Sequence, residues 1–240
     1  MNIWAVLLLF LSSAISGIAM VWFRPNGTKS IKLLLSFSGA FLMAICFLHL
    51  LPEVFTNTPK EVSLFLLIGF FLQLLLDYFS GGIEHGHIHL HKDQLKKFPF
   101  LVFLSLCFHA FIEAAPAFHF HSGDHSHDVS PLLIGIVMHK IPISIVLASL
   151  LLANQIKKTN VAIAIIIFSL MAPLGGFLGH WLNHNTQFAD LFPYLLALAA
   201  GILLHIATTI LLETSDNHKF SKMKIVSILV GALLAIIATY

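Results

Sequence analysis

Residues 161–182 read VAIAIIIFSLMAPLGGFLGHWL, a run without Asp, Glu, Lys or Arg. A helix needs about 20 predominantly apolar residues to cross a hydrocarbon core about 30 Å thick, and this run is long enough. Its apolar residues do not alternate with polar ones, as they would in the strands of a membrane β-barrel. The stretch therefore predicts a membrane-spanning α-helix.

The same composition extends along most of the chain. Of its 240 residues, 58% are hydrophobic and 10% are charged, whereas soluble domains carry about 25% charged residues. The longest loop is too short to bury a core of its own, so we expect one all-α polytopic membrane domain over residues 1–240. Polar, Pro- and Gly-containing breaks divide it into eight predicted transmembrane helices. These spans are predicted at residues 3–23, 31–51, 62–80, 98–118, 131–152, 161–182, 192–212 and 223–239.

Basic residues indicate how the helices are oriented. Of the 13 Lys and Arg residues, 11 lie in the odd-numbered loops, and loops four and six contain none. Because basic residues are enriched in cytoplasmic loops, we expect the odd loops to face the cytoplasm and both termini to lie outside. The bacterial inner (cytoplasmic) membrane is the expected location, and a net charge of +2 gives no sign of nucleic-acid binding. The 11 residues are Arg24, Lys29, Lys32, Lys92, Lys96, Lys97, Lys157, Lys158, Lys219, Lys222 and Lys224.

Ionisable residues inside the spans are the main candidates for function. Each costs at least about 2.5–3.5 kcal/mol at the centre of a membrane helix, so few are retained without a role. His109 and Glu113 lie four residues apart in span four and share one helix face, while span five holds His139 and Lys140. The two histidines lie at similar depths, so the two spans can bring these side chains to one ion.

Two imidazoles and a carboxylate favour Zn²⁺ and neighbouring first-row divalent ions over Mg²⁺ or Ca²⁺, which prefer oxygen ligands. We therefore predict a metal site formed by His109, Glu113 and His139, with an open coordination position that suits an ion in transit. Burial disfavours the charged form of a lysine. We expect Glu113 or a neighbouring carboxylate to pair with Lys140 and keep it charged.

Prolines within or at the end of four spans suggest irregular helices. Each proline removes a backbone hydrogen bond, and a helix broken at the depth of the binding site is common in transporters. The alternative is that proline is simply commoner in membrane helices than in soluble ones. The four residues are Pro52, Pro116, Pro142 and Pro173.

Two histidine-rich segments lie in loops on opposite sides of the predicted membrane. Short tracts of this kind bind metals, and here they would capture ions outside and accept them inside. Solvent-exposed, pH-sensitive linkers are the alternative. The cytoplasmic segment contains His85, His87, His89 and His91, and the external segment contains His119, His121, His125 and His127.

Three further histidine and glutamate residues are accessory candidates. His49 and Glu53 repeat the four-residue spacing at the outer end of span two, where a solvated helix end is the alternative to metal contact. His205 lies alone in span seven, and a hydrogen-bonded packing residue is the alternative there. A short similarity between spans two and seven also suggests an inverted repeat of spans one to three and six to eight, with coincidence between Leu-rich segments as the other explanation.

Taken together, these motifs resemble those of the ZIP (Zrt/Irt-like) metal transporters. The resemblance rests on His109-Ala-Phe-Ile-Glu113-Ala, His139-Lys140-Ile-Pro142 and Phe47-Leu-His49-Leu-Leu-Pro52-Glu53, with shorter matches in spans three, six and seven. It implies an eight-helix bundle that takes up Zn²⁺, or else Fe²⁺ or Mn²⁺, toward the cytoplasm. It also implies metal ligation by His109, Glu113 and His139. The ion is then a transported substrate and no resident cofactor is expected, while a homodimer stays open.

The chain departs from the family pattern at several positions near this site. Many members have a glutamate where Ile143 stands and a polar ligand where Ala110 stands. Lys140 occupies a position that elsewhere helps to bind a second metal, so the chain resembles members with one central site. Two other functions stay open beside transport: an intramembrane zinc-dependent hydrolase, which would use a similar ligand set, and a metal sensor that passes no ion. The expected protein is not an enzyme.

Overall fold

A computed structural model of the chain describes residues 2–23, 28–56, 60–83, 97–118, 130–185, 187–213 and 221–239. Within these ranges the chain forms helices and turns but no strand, and eight of its helices are long and apolar enough to cross a membrane. The prediction of an all-α polytopic membrane protein with eight spans is therefore confirmed. The inverted repeat stays a prediction.

The observed helices agree with the predicted spans to within a few residues. The largest difference is at span two, which continues past residue 51 to Phe55. Span one is Ile3–Phe23; span two joins Thr28–Ile45, Cys46–Leu50 and Leu51–Phe55; span three is Val62–Ser80; span four joins Phe100–Ala114 and Ala115–Phe118; span five is Pro131–Ala153; span six is Lys158–His184; span seven is Phe192–Glu213; and span eight is Lys222–Thr239.

The prolines alter two spans and leave two continuous. A π-helical turn over Cys46–Leu50 precedes Pro52, and a 3₁₀ turn contains Pro116. Spans five and six stay α-helical through Pro142 and Pro173, so the break expected at the depth of the central histidine in span five is not observed. Proline removes only one backbone N–H group. The remaining hydrogen bonds and the packing of neighbouring helices can keep a long membrane helix continuous through it.

Spans four and five form the centre of the bundle. In each of them 67% of the apolar segment is buried, against 28%, 22% and 17% in spans one, three and eight. The outer spans present large apolar side chains outward, among them Trp4, Phe71 and Leu229. Exposed side chains of this kind are expected where lipid is the solvent. Residues on spans four and five are therefore the ones placed to form a site shielded from lipid.

Glycines bring some of the helices into backbone contact. A Cβ atom at Gly175 or Gly179 of span six would overlap the carbonyl oxygen of Phe111 or Ala115 in span four. Small residues allow this close approach of helices in membranes. Because Phe111 lies between the two predicted ligands of span four, the contact also fixes the helix face that carries them. Spans three and seven touch in the same way at Gly69 and Gly201.

Candidate metal centre

The three predicted ligands meet in the centre of the bundle. One donor atom each from His109, Glu113 and His139 lies within 4.8 Å of the other two, and all three residues are buried. One helical turn on span four places His109 Nε2 3.0 Å from Glu113 Oε2. Two metal bonds of about 2.1 Å at a tetrahedral angle separate two donor atoms by about 3.4 Å. This pair is therefore close to the spacing that a single ion requires.

The third candidate ligand comes from a different helix. His139 lies in span five, and its ring meets the ring of His109 edge to face, with 6.2 Å between the centroids. Neither span alone provides all three donors. The cluster therefore exists only when spans four and five are packed against each other.

Lys140 completes the charge pattern of the cluster. Its Nζ lies 2.8 Å from Glu113 Oε1 and 5.1 Å from the centroid of the Phe168 ring, so the pairing of Lys140 with Glu113 that the sequence suggested is observed. Each carboxylate oxygen of Glu113 faces a different neighbour, the ammonium group on one side and His109 on the other. A buried carboxylate and a buried ammonium need such a partner, because an isolated charge is costly to bury.

The donor set fits a first-row divalent ion. Two imidazole nitrogens and one carboxylate oxygen match the three protein ligands of open zinc sites, in which the fourth position is left to water or substrate. Mg²⁺ and Ca²⁺ favour sites made of oxygen atoms alone. Among the residues that the structure describes, this is the one group of three or more such side chains close enough to share an ion.

Gln73 of span three also contacts the cluster, and it is not among the residues predicted from the sequence. Its side chain is buried, with Oε1 3.1 Å from Nδ1 of His109. Glutamine carries no charge, so a search for ionisable residues inside the spans passes over it. A usable signal was nevertheless present, because Gln73 is the one polar residue in the apolar run 64–76.

Three accessory candidates do not belong to this group of donors. His49 Nε2 and Glu53 Oε2 are 4.0 Å apart near the C-terminal end of span two, and their side chains are 38% and 21% exposed. His205 is buried in span seven, where its ring packs edge to face against Phe70 with 4.8 Å between centroids. Metal contact at these positions stays a prediction.

The two histidine-rich segments lie outside the described residues. Their proposed roles in capturing and accepting metal therefore stay predictions. The positions concerned are His85, His87, His89 and His91 on one side, and His119, His121, His125 and His127 on the other.

Comparison with known proteins identifies a relationship for most of the chain. The sequence model of a family described as ZIP zinc transporter matches residues 84–239. The match includes spans four to eight, and with them all three residues of the central cluster. Gln73, His49 and Glu53 lie before it. A search of curated proteins finds no match to the chain.

Proposed function

Because the chain belongs to the ZIP family of zinc transporters, we propose that it carries Zn²⁺ toward the cytoplasm through the cluster of His109, Glu113 and His139. Family membership and eight apolar helices make it a multi-pass membrane transporter of divalent metal ions. The observation that supports this particular site is the convergence of three buried donor groups from spans four and five.

The chemistry of the donors supports zinc as the first choice of ion. Nitrogen ligands bind late first-row ions more strongly than Mn²⁺ or Fe²⁺, so Zn²⁺ is favoured at equal concentration. Fe²⁺ and Mn²⁺ remain candidate substrates, since availability as well as affinity decides which ion occupies a site. Mg²⁺ and Ca²⁺ should compete poorly.

Lys140 gives the site a charge balance suited to transient binding. Without metal, the ammonium of Lys140 offsets the carboxylate of Glu113 at 2.8 Å. An arriving divalent cation therefore meets a carboxylate whose charge is already offset, and it is repelled by the ammonium. We propose that Lys140 fills the electrostatic role of a second metal ion, which weakens binding and speeds the release of a single ion.

The arrangement supports transport over hydrolysis. A hydrolase would need a general base beside the metal-bound water, and the two oxygens of Glu113 face Lys140 and His109. No second carboxylate joins the group of potential ligands within the described residues. A metal sensor would use the same ligands, and only ion movement separates it from a transporter.

Zinc uptake into sealed vesicles tests the proposal. Liposomes that contain the purified protein and a zinc-sensitive dye should take up Zn²⁺. Fe²⁺, Mn²⁺ and Cd²⁺ should compete for this uptake, whereas Mg²⁺ or Ca²⁺ at the same concentration should compete little. His139→Ala should remove uptake. His180→Ala is the control, because it deletes an imidazole of span six that packs against His184 and is not one of the three donors, and uptake should persist.

Three results would contradict the proposal. Zinc binding without uptake would indicate a sensor, and metal-dependent turnover of a lipid or peptide would indicate a hydrolase. Undiminished uptake by His139→Ala would reject the proposed site while leaving transport itself intact.

A further inference from the structure

We propose that Gln73 positions His109 as a metal ligand by selecting which of its two ring nitrogens carries the proton. The inference rests on the proposed function of the central cluster. Gln73 is fully buried in span three, and its amide oxygen lies 3.1 Å from Nδ1 of His109 in span four. The side chain therefore reaches the ligand from the side opposite Glu113.

The chemistry of a neutral imidazole explains the effect. One ring nitrogen carries a hydrogen and donates, while the other carries a lone pair and accepts or binds metal. An amide oxygen can only accept, so Gln73 favours the tautomer in which Nδ1 of His109 carries the hydrogen. The lone pair is then on Nε2, the nitrogen 3.0 Å from Glu113. Gln73 thus directs the metal-binding nitrogen of His109 toward the other ligands.

A role in packing alone does not explain a glutamine at this position. Burying an amide is costly unless its hydrogen-bonding groups find partners, and a leucine would fill similar space in the apolar run around it without that requirement. A hydrogen bond from the second ring nitrogen to a protein acceptor is also the usual arrangement around metal-binding histidines. Loss of that acceptor typically lowers metal affinity about 10–100-fold.

The structure offers a matched control between the same two helices. Ser105 of span four donates its hydroxyl hydrogen to the carbonyl oxygen of Leu76 in span three at 3.3 Å. Ser105→Ala therefore removes a buried contact between spans three and four without removing the acceptor at His109. A purely structural role for Gln73 would make the two substitutions equivalent.

Zinc affinity of the purified full-length protein is the measurement, by competition with a chromogenic chelator. Gln73→Leu should weaken Zn²⁺ binding about 10–100-fold, and Gln73→Met should do the same if the leucine variant folds poorly. Gln73→Glu should bind within about threefold of the wild type, because a carboxylate keeps the acceptor while losing the amide donor. Ser105→Ala should also stay within about threefold.

Failure of this inference and failure of the proposed function give different results. The inference is overturned if the apolar variants bind zinc as the wild type does, if Gln73→Glu is as weak as Gln73→Leu, or if Ser105→Ala is equally weak. Failure of the proposed function is seen separately, as wild-type protein that binds no zinc or as His109→Ala with unchanged affinity.

Discussion

Spans two and four each carry a histidine followed four residues later by a glutamate, and the two pairs differ in their surroundings. His109 and Glu113 approach to 3.0 Å with side chains 1% and 0% exposed. His49 and Glu53 remain 4.0 Å apart with side chains 38% and 21% exposed. The four-residue spacing places each pair on one helix face, but it does not determine how close or how buried the two side chains are.

The neighbouring helices make the difference between the pairs. Around His109 and Glu113, span three provides Gln73 and span five provides His139 and Lys140. In span two, His49 lies within a π-helical turn and Glu53 lies in the last helical turn, where solvent screens charges and competes for the ligands. A chelating motif therefore becomes a strong candidate site only when other helices enclose it.

The largest effect is expected from the enclosed pair. His109→Ala removes a nitrogen ligand, and Glu113→Gln removes a charged ligand and leaves the Lys140 ammonium uncompensated. Each variant removes one of only three protein ligands, and Glu113→Gln also breaks a buried ion pair, which costs about 3–5 kcal/mol. Zinc uptake should therefore fall at least about 100-fold in both variants. The measurement is the rate of zinc uptake into vesicles that carry equal amounts of protein. As a control, each variant should elute from size-exclusion chromatography as the folded wild-type protein does. Substantial uptake by either variant would remove the distinction between the two pairs.

A second variant tests the cation beside the enclosed pair. Lys140→Met removes the ammonium group that repels an arriving ion, so zinc should bind about tenfold more tightly and leave more slowly. The maximal uptake rate should then fall although affinity rises. Chelator competition and vesicle uptake on the same preparation give the two quantities. Unchanged kinetics would reject the role of Lys140 and leave the three ligands untouched.

Another pair of variants tests the backbone contact between spans six and four that lies behind His109 and Glu113. Gly175→Ala places a Cβ against the backbone of Phe111, whereas Gly135→Ala meets the movable end of the Leu42 side chain at 3.2 Å. Overpacking typically costs about 1–3 kcal/mol. The unfolding temperature and zinc affinity should therefore drop in Gly175→Ala and change less in Gly135→Ala. Equal stability of the two variants would show that the backbone contact can relax.

The smallest effect is expected from the exposed pair. His49→Ala and Glu53→Gln should alter uptake by less than about threefold, because a partly solvated ion pair contributes roughly 0–1 kcal/mol. Initial rates at limiting and at saturating zinc are the measurement. A loss comparable to that of His109→Ala would place span two in the translocation path.

The sequence was sufficient for the parts of the fold that a bilayer dictates. Eight spans follow from apolar length, and the pairing of His109 with Glu113 follows from helical spacing. The approach of His139 follows from its depth in span five. Each of these depends on one helix or on distance from the membrane surface.

Features that depend on packing between helices could not be predicted in this way. The sequence does not show that Pro142 lies in a continuous helix, because packing against neighbouring spans determines whether the helical turn around it stays regular. It also does not pair Gln73 with His109, since nothing local links span three to span four. The orientation, the homodimer and the histidine-rich segments stay predictions.

The two glycines of span six also have a mechanical consequence. Gly175 and Gly179 hold span six against the backbone of span four at two points one turn apart, so the two helices cannot slide along each other without losing both contacts. They should move as one rigid body, as packed helices do in hinge and shear motions. His109 and Glu113 belong to that body, whereas His139 lies on span five. A motion of other helices would therefore leave the spacing between His109 and Glu113 unchanged.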